Sequence, residues 1–327
     1  MSRGVFTLFV LKRCITNKIL YVAPLEQFIK TQNFYILIFS LYLILKRFIL
    51  FSLNMEQLED IIKHVSTKNK RNLFTFLTGA GISSESGIPT YRGVDGIWIK
   101  GTKFHKPEEF GTFKYFKENP EEVWQYSLFR KKIFENAKPN ASHYELVEIE
   151  NILKDRFHLI TQNIDNLHRL SGTERIFEIH GNNRQIKCSN GCKEIINLPE
   201  EIKGKEIDED LTEKEIELLK CKSCGNWMRP NILWFDEYYD EQTNKKFSSL
   251  KIAKNSGILF ILGTSGATNL PVAIAETTLK YGGTIIDINI EDNQFTALIK
   301  DKKNKIIIRK TSTEALKMIK EMIKSII

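Results

Sequence analysis

Leu73-Phe74-Thr75-Phe76-Leu77-Thr78-Gly79-Ala80-Gly81-Ile82-Ser83-Ser84-Glu85-Ser86-Gly87 decides the fold. Its first six residues are largely apolar, and a short apolar run closed by glycine predicts a buried central strand. The glycines and serines after it predict a turn into a helix start. That order suits a phosphate, because glycine lets the backbone approach an anion and free N–H groups at a helix start bind it. The spacing is not G-x-G-x-x-G, since the third glycine arrives late. Nor does an acidic residue stand about 20 positions on, where a ribose-binding carboxylate is usual. The same residues therefore also fit a plain tight turn.

Further strands lie downstream. Phe157-His158-Leu159-Ile160 predicts one, and Thr161-Gln162-Asn163-Ile164-Asp165-Asn166-Leu167-His168 follows it at once. Polar groups bunched past the carboxyl end of a strand are what an open α/β sheet uses to build a ligand crevice. Ile176-Phe177-Glu178-Ile179 predicts the next strand and ends in His180-Gly181. Two strand ends thus present an imidazole and a carboxylate towards one spot. Gly257–Leu262 runs into Gly263-Thr264-Ser265-Gly266, and Thr284–Ile288 into Asn289. A last strand near 305–309 meets a C-terminal helix opened by a Thr311-x-x-Glu314 capping box. Buried strands alternating with helices, each strand ending in small or polar residues, predict an α/β fold with a doubly wound parallel, Rossmann-like sheet.

Between the first two strands, Ile88-Pro89-Thr90-Tyr91-Arg92-Gly93 is a loop whose guanidinium suits a pyrophosphate, though an exposed loop arginine is the commoner fate. Residues 104–138 predict two or three short helices. Pro139-Asn140-Ala141-Ser142-His143 then predicts a helix start in which His143 is structural.

Residues 1–54 differ in character, with seven Lys/Arg against Glu26 alone, so that only +2 of the net +8 falls on the other 273 residues. A body so near neutral gives little support to nucleic-acid binding. The charge-free run 34–45 spans roughly 18 Å as a helix, short of a bilayer core of about 30 Å. Any membrane association would run through residues 34–53 across the Lys46-Arg47 pair. A targeting leader is a second reading. A domain starting at Met55, with a dispensable segment before it and a cytoplasmic location, is the favoured third. Leu58, Ile61, Ile62 and Val65 then mark the first helix of that domain.

Four of five cysteines form two close pairs, Cys188-x3-Cys192 and Cys221-x2-Cys224. Each has knuckle spacing, and four thiolates make a closed tetrahedral shell for a structural zinc, with Zn–S about 2.3 Å. The 28 residues between the pairs hold ten acids against five lysines, which predicts a solvated helical excursion. An acidic insert also disfavours a nucleic-acid-binding zinc ribbon.

Together these motifs resemble the sirtuins, the NAD-dependent protein lysine deacylases. The resemblance runs from about Met55 to the C-terminus and rests on Gly79–Ser83, Gly87–Arg92, Thr161–Asp165, His180-Gly181, the cysteine pairs, Gly263-Thr264-Ser265 and Ile288-Asn289. It implies a catalytic domain over 55–327 in which a helical insert (about 104–139) and a zinc module (about 182–228) build a smaller domain on the Rossmann-like one. It further implies that Gly79, Ala80 and Gly81 hold the pyrophosphate of NAD, with Tyr91 and Arg92 on the loop that closes over it. Gln162, Asn163 and Asp165 would line the nicotinamide-ribose pocket, while Gly263, Thr264, Ser265 and Asn289 would meet the adenosine half. His180 would be the general base, suited by a pKa near working pH, with Asn163 and Asp165 beside it. Leu233 and Phe235 would meet an acylated protein lysine, and the products would be nicotinamide, O-acyl-ADP-ribose and free lysine.

Two departures from the family pattern bear on substrate choice. Phe235-Asp236-Glu237 stands where Phe-Gly-Glu is usual, and a carboxylate there would favour basic substrates. Members that remove acidic acyl groups carry Tyr-x-x-Arg, whereas this chain has Tyr126-Ser127-Leu128-Phe129-Arg130, with the tyrosine one residue early. Arg130 is thus a candidate for acyl selection. An NAD hydrolase or ADP-ribosyltransferase is the rival enzyme, and the zinc module and the Ile232–Phe235 strand argue against it, because a hydrolase needs no peptide groove. A zinc-ribbon binding module is the rival outside enzymes, and it has no use for His180 and Asp165 at strand ends.

Overall fold

The computed structural model describes residues 33–89, 107–192, 195–302 and 305–327. Tyr91, Arg92 and the start of the helical insert lie outside the described residues, as does most of the leader. Two compact units divide the chain, Met1–Glu56 and Gln57–Ile327. The helix Asn33–Ser66 opens well before the start expected at Met55. The change in composition does not stop it, because no proline or glycine stands between those ends. Among the described residues no helix is long and apolar enough to cross a membrane.

The second unit is built on a six-stranded sheet. Its strands are β1 (Leu73–Thr78), β2 (Phe157–Thr161), β3 (Ile176–Glu178), β7 (Ser256–Leu262), β8 (Thr284–Ile288) and β9 (Ile306–Ile308). They run in the order β3-β2-β1-β7-β8-β9, and every neighbouring pair is parallel. β7 is buried along its whole length, as both-face coverage of a parallel sheet requires. Phe76 of β1 stacks on Phe157 and Phe260 of the flanking strands, at centroid distances of 5.2 and 4.7 Å. The chain winds outward from β1 in one direction and then returns to its other side at β7. That reversal opens a crevice past the carboxyl ends of β1 and β7, where open α/β sheets bind ligands.

A three-stranded antiparallel sheet, β5 (Ile196–Asn197), β4 (Gly181–Cys188) and β6 (Met228–Ile232), forms the smaller domain with the insert helices Pro107–Phe110, Phe113–Glu118 and Pro120–Asn136. Its core joins Phe116, Trp124 and Leu128 from the insert to Ile186 and Met228 from the sheet. The Trp124 indole N–H donates to the Met228 carbonyl at 2.8 Å, pinning insert to sheet. The segment between the cysteine pairs is only partly the expected solvated helix. Glu213–Leu218 is helical, but Ile202 and Leu219 are buried in this core, so apolar anchors outweigh the acidic composition.

The large sheet runs into the small one without a linker, since β3 ends at Glu178 and β4 begins at Gly181. Gly181 has φ +84°, and a Cβ there would lie 1.8 Å from the Asn231 carbonyl oxygen. Only glycine fits that joint.

Candidate active site and metal centre

Backbone contacts set the floor of the crevice. Gly79 N–H donates to the Leu262 carbonyl and Gly81 N–H to Gly263, at 3.0 and 2.9 Å. A Cβ on Gly81 would meet the Gly263 Cα at 2.7 Å, so the two strand ends touch only because both are glycine. Ala80–Ser86 is a 3-10 helix, where the sequence predicts an ordinary helix start. This tighter turn keeps Ser83 buried and aims its hydroxyl at the Asp165 Oδ2, to which it donates at 2.7 Å. Asn163 Nδ2 donates to the same Ser83 oxygen at 3.1 Å, and Leu167 N–H donates to Asp165 Oδ1 at 2.9 Å. Burial pushes the Asp165 carboxyl up, while the Leu167 N–H and the Ser83 hydroxyl pull against it.

Gln162, Thr264 and Asn289 form the adjoining wall. Gln162 Nε2 donates to Thr264 Oγ1 at 2.8 Å, and Thr264 N–H donates to Asn289 Oδ1 at 3.0 Å. Ser265 is exposed and Ala80 is half-buried. His180 follows β3, with Nδ1 3.0 Å from the Gln162 carbonyl and Nε2 2.8 Å from the Tyr239 hydroxyl. Burial pushes this imidazole down to about 4. The structure thus gathers His180, Gln162, Asn163, Asp165 and Gly79–Gly81 at neighbouring strand ends, with Gly263–Ser265 and Asn289 along the same edge. Amides, hydroxyls, a carboxylate and a close-packed glycine backbone fit the hydroxyls and phosphates of a dinucleotide.

Leu233 and Phe235 extend from β6. Leu233 N–H donates to the His180 carbonyl and Phe235 N–H to Gly111, both at 2.9 Å, and the Phe235 ring is exposed. Asp236 corrects an expectation. Its two carboxylate oxygens accept from Phe113 N–H and Lys114 N–H, at 2.7 and 3.0 Å, at the start of the helix Phe113–Glu118. Unpaired helix-start N–H groups claim the carboxylate, so it caps a helix and is not a free anion for basic substrates. Glu237 binds inward, accepting from the buried Arg229 at 2.8 Å and from Trp234 N–H at 3.0 Å. Arg130 lies over the Phe134 and Tyr126 rings, 5.3 and 5.9 Å from their centroids. The early tyrosine still reaches it, because four residues apart is one face of a helix.

In the metal centre, the Sγ atoms of Cys188, Cys192, Cys221 and Cys224 lie within 4.8 Å of one another, with Cys188 and Cys224 3.6 Å apart. Tetrahedral zinc with bonds of about 2.3 Å needs S···S distances of about 3.8 Å. The four cysteines are therefore positioned to bind one zinc. Asn190 N–H and Asn226 Nδ2 donate to Cys188 and Cys224 sulfurs at 3.3 and 3.4 Å, the outer contacts that hold thiolates in place.

The sequence reading misses Ser83, Tyr239, Thr268 and Asp287 as site residues. Thr268 Oγ1 donates to Gln162 Oε1 at 3.1 Å, and the fully buried Asp287 accepts from Asn289 Nδ2 at 2.5 Å. Asp287 had a signal, as the single charge in an apolar strand; Tyr239, in a polar stretch, had none.

A family model described as the Sir2 family matches residues 79–269. An NAD-dependent protein deacylase of Leptospira interrogans is 38% identical over 245 residues, covering 74% of this chain and 89% of the relative. One from Pyrococcus abyssi is 38% identical over 231 residues, covering 70% and 86%. The solved structure of a Sir2 homolog–NAD complex superposes with a TM-score of 0.66 at 27% identity, over 82% of this chain and 95% of that one.

Proposed function

Because the chain belongs to the Sir2 family, we propose that the crevice over β1, β2, β3, β7 and β8 holds NAD and that His180 acts there as the general base. The protein is an NAD-dependent protein deacylase, and its substrates are acylated proteins. NAD supplies the ADP-ribosyl group that takes the acyl group from lysine, which leaves nicotinamide, O-acyl-ADP-ribose and free lysine as products.

The chain's own residues divide the work. The glycine backbone at Gly79, Gly81 and Gly263, with Ala80, receives the pyrophosphate. Asn163 and Asp165, both steadied by Ser83, meet the nicotinamide ribose together with Gln162. Thr264, Ser265 and Asn289 meet the adenosine half, and Tyr91 and Arg92 join the set by family resemblance alone. His180 takes a proton from a ribose hydroxyl at Nε2, because Nδ1 faces the Gln162 carbonyl, which can only accept. Leu233 and Phe235 lie beside the bound acyl-lysine. The observation that carries the reading is the convergence of an imidazole with buried amides and a carboxylate at the switch point of a parallel sheet.

Arg130 extends the reading to the acyl group. Its Nε is buried and meets no acceptor among the described residues; burial raises both Tyr126 and Asp165, and the Arg130 charge pulls weakly against it. A half-buried arginine whose Nε lacks an acceptor favours an acidic acyl group such as succinyl. The test is to incubate purified protein and NAD with acetylated and succinylated peptides, detecting O-acyl-ADP-ribose by mass. Product should require peptide, and NAD turnover at an equal rate without peptide would instead identify a hydrolase. Arg130→Met should lower desuccinylation at least tenfold more than deacetylation, the loss expected for about 1.4 kcal/mol of a charge-assisted bond. Equal losses would sink the role in acyl choice.

A further inference from the structure

Tyr239 lies seven residues past β6, on the segment that also carries Leu233 and Phe235. Its hydroxyl is 2.8 Å from His180 Nε2, and the two ring centroids are 5.8 Å apart. The other ring nitrogen settles the direction of that bond. The Gln162 carbonyl opposite Nδ1 can only accept, so Nδ1 carries the proton, Nε2 of the neutral ring is the acceptor, and the phenol donates. Burial pushes the phenol up to about 12, so it keeps its proton across the working range. The Gln162 side chain in turn accepts from the Thr268 hydroxyl at 3.1 Å. One short network therefore ties the base, the cofactor wall and the peptide-bearing segment together.

We infer that Tyr239 is a positioning residue for deacylation, holding His180 by its Nε2 lone pair until the ribose hydroxyl takes that place. The inference rests on His180 being the general base. Nε2 has a single lone pair, so the phenol and the substrate hydroxyl cannot both donate to it. Because Tyr239 shares a seven-residue segment with Leu233 and Phe235, seating the peptide strand moves the group that must give way. The groups that meet the imidazole are Tyr239 from this segment and the Gln162 carbonyl from the end of β2. Donation to the neutral ring favours the neutral form, so losing the donor makes the ring easier to protonate.

The experiment follows the His180 ring resonances by NMR in the full chain without NAD, identified by their loss in His180→Ala, and the pH profile of kcat/KM with an acylated peptide. Tyr239→Phe keeps the ring and its packing while removing the donor. It should raise the His180 titration midpoint and the acid limb of the profile together, by about 0.5–1 pH unit for one hydrogen bond. Unmoved midpoint and limb, in a protein whose His180→Ala variant loses deacylation, would overturn the role of Tyr239 and leave the base standing. Undiminished deacylation in His180→Ala would overturn both.

Discussion

Replacing His180 by alanine separates two stages of the reaction. If His180 is the base and acts, as proposed, on the ribose hydroxyl after nicotinamide leaves, net deacylation should fall by about 10²–10⁴-fold while nicotinamide exchange persists. Zinc content and melting temperature serve as controls, and near-normal net deacylation in the folded variant would remove His180 from the mechanism. Histidines also set the response to acid. Burial pushes His143 and His180 down to about 4 and His168 well below its ordinary value, and the His143 and His168 rings sit 4.8 Å apart. These rings stay neutral in the fold, whereas unfolded histidine takes a proton below about pH 6.5. The contribution of these rings to stability is thus level above pH 6.5 and falls as pH drops towards 4, by on the order of 1 kcal/mol per pH unit for each ring. Urea unfolding at pH 7, 6 and 5 should show the loss, and His143→Gln should flatten it. His143 itself was legible, because Asn140 followed three residues later by a hydrogen-bonding side chain is a helix-cap spacing, and His143 Nδ1 accepts from Asn140 N–H. Tyr239 was not, since its partner lies 59 positions back along the chain.

The zinc module makes its prediction at the level of an element. Cys221 is buried in the same core as Trp124, Ile186 and Leu219, and binding energy at a closed four-thiolate site is largely folding energy. Cys221→Ser should lose the metal and unfold the small domain, and one zinc per chain should be found in the parent protein by metal analysis. Full activity in the zinc-free variant would refute this. The cysteine pairs were legible because ligand spacing is local. The composition break at Met55 lies beside the unit boundary at Glu56–Gln57, although the helix Asn33–Ser66 runs through it. Sequence pattern misled at two other elements. It read a charge-rich insert as solvated although Ile202 and Leu219 anchor it. It also left Asp236 facing the groove, when the N–H groups that bind it come from 122–123 residues away in the sequence.

Over the whole molecule, every described site residue falls after Thr78, within the unit Gln57–Ile327. A chain beginning at Met55 should fold and deacylate peptides as fast as the full chain. Loss of activity on trimming would assign a folding role to the helix before Met55. The parallel sheet was legible because buried strands alternate with helices, and the order β3-β2-β1-β7-β8-β9 realises that pattern. The cross-links Gln162–Thr264 and Gln162–Thr268 span 102 and 106 residues, so no local pattern announces them. β4 has one further consequence for the molecule as a machine. His180 stands immediately before its first residue, and Cys188 is its last. The strand is a lever about 27 Å long, with the base at its fulcrum and the metal at its tip. A shift of the metal-bearing lobe is therefore expected to reach His180 along β4, so that weakening the cysteine grip should slow proton transfer with every pocket side chain still in place.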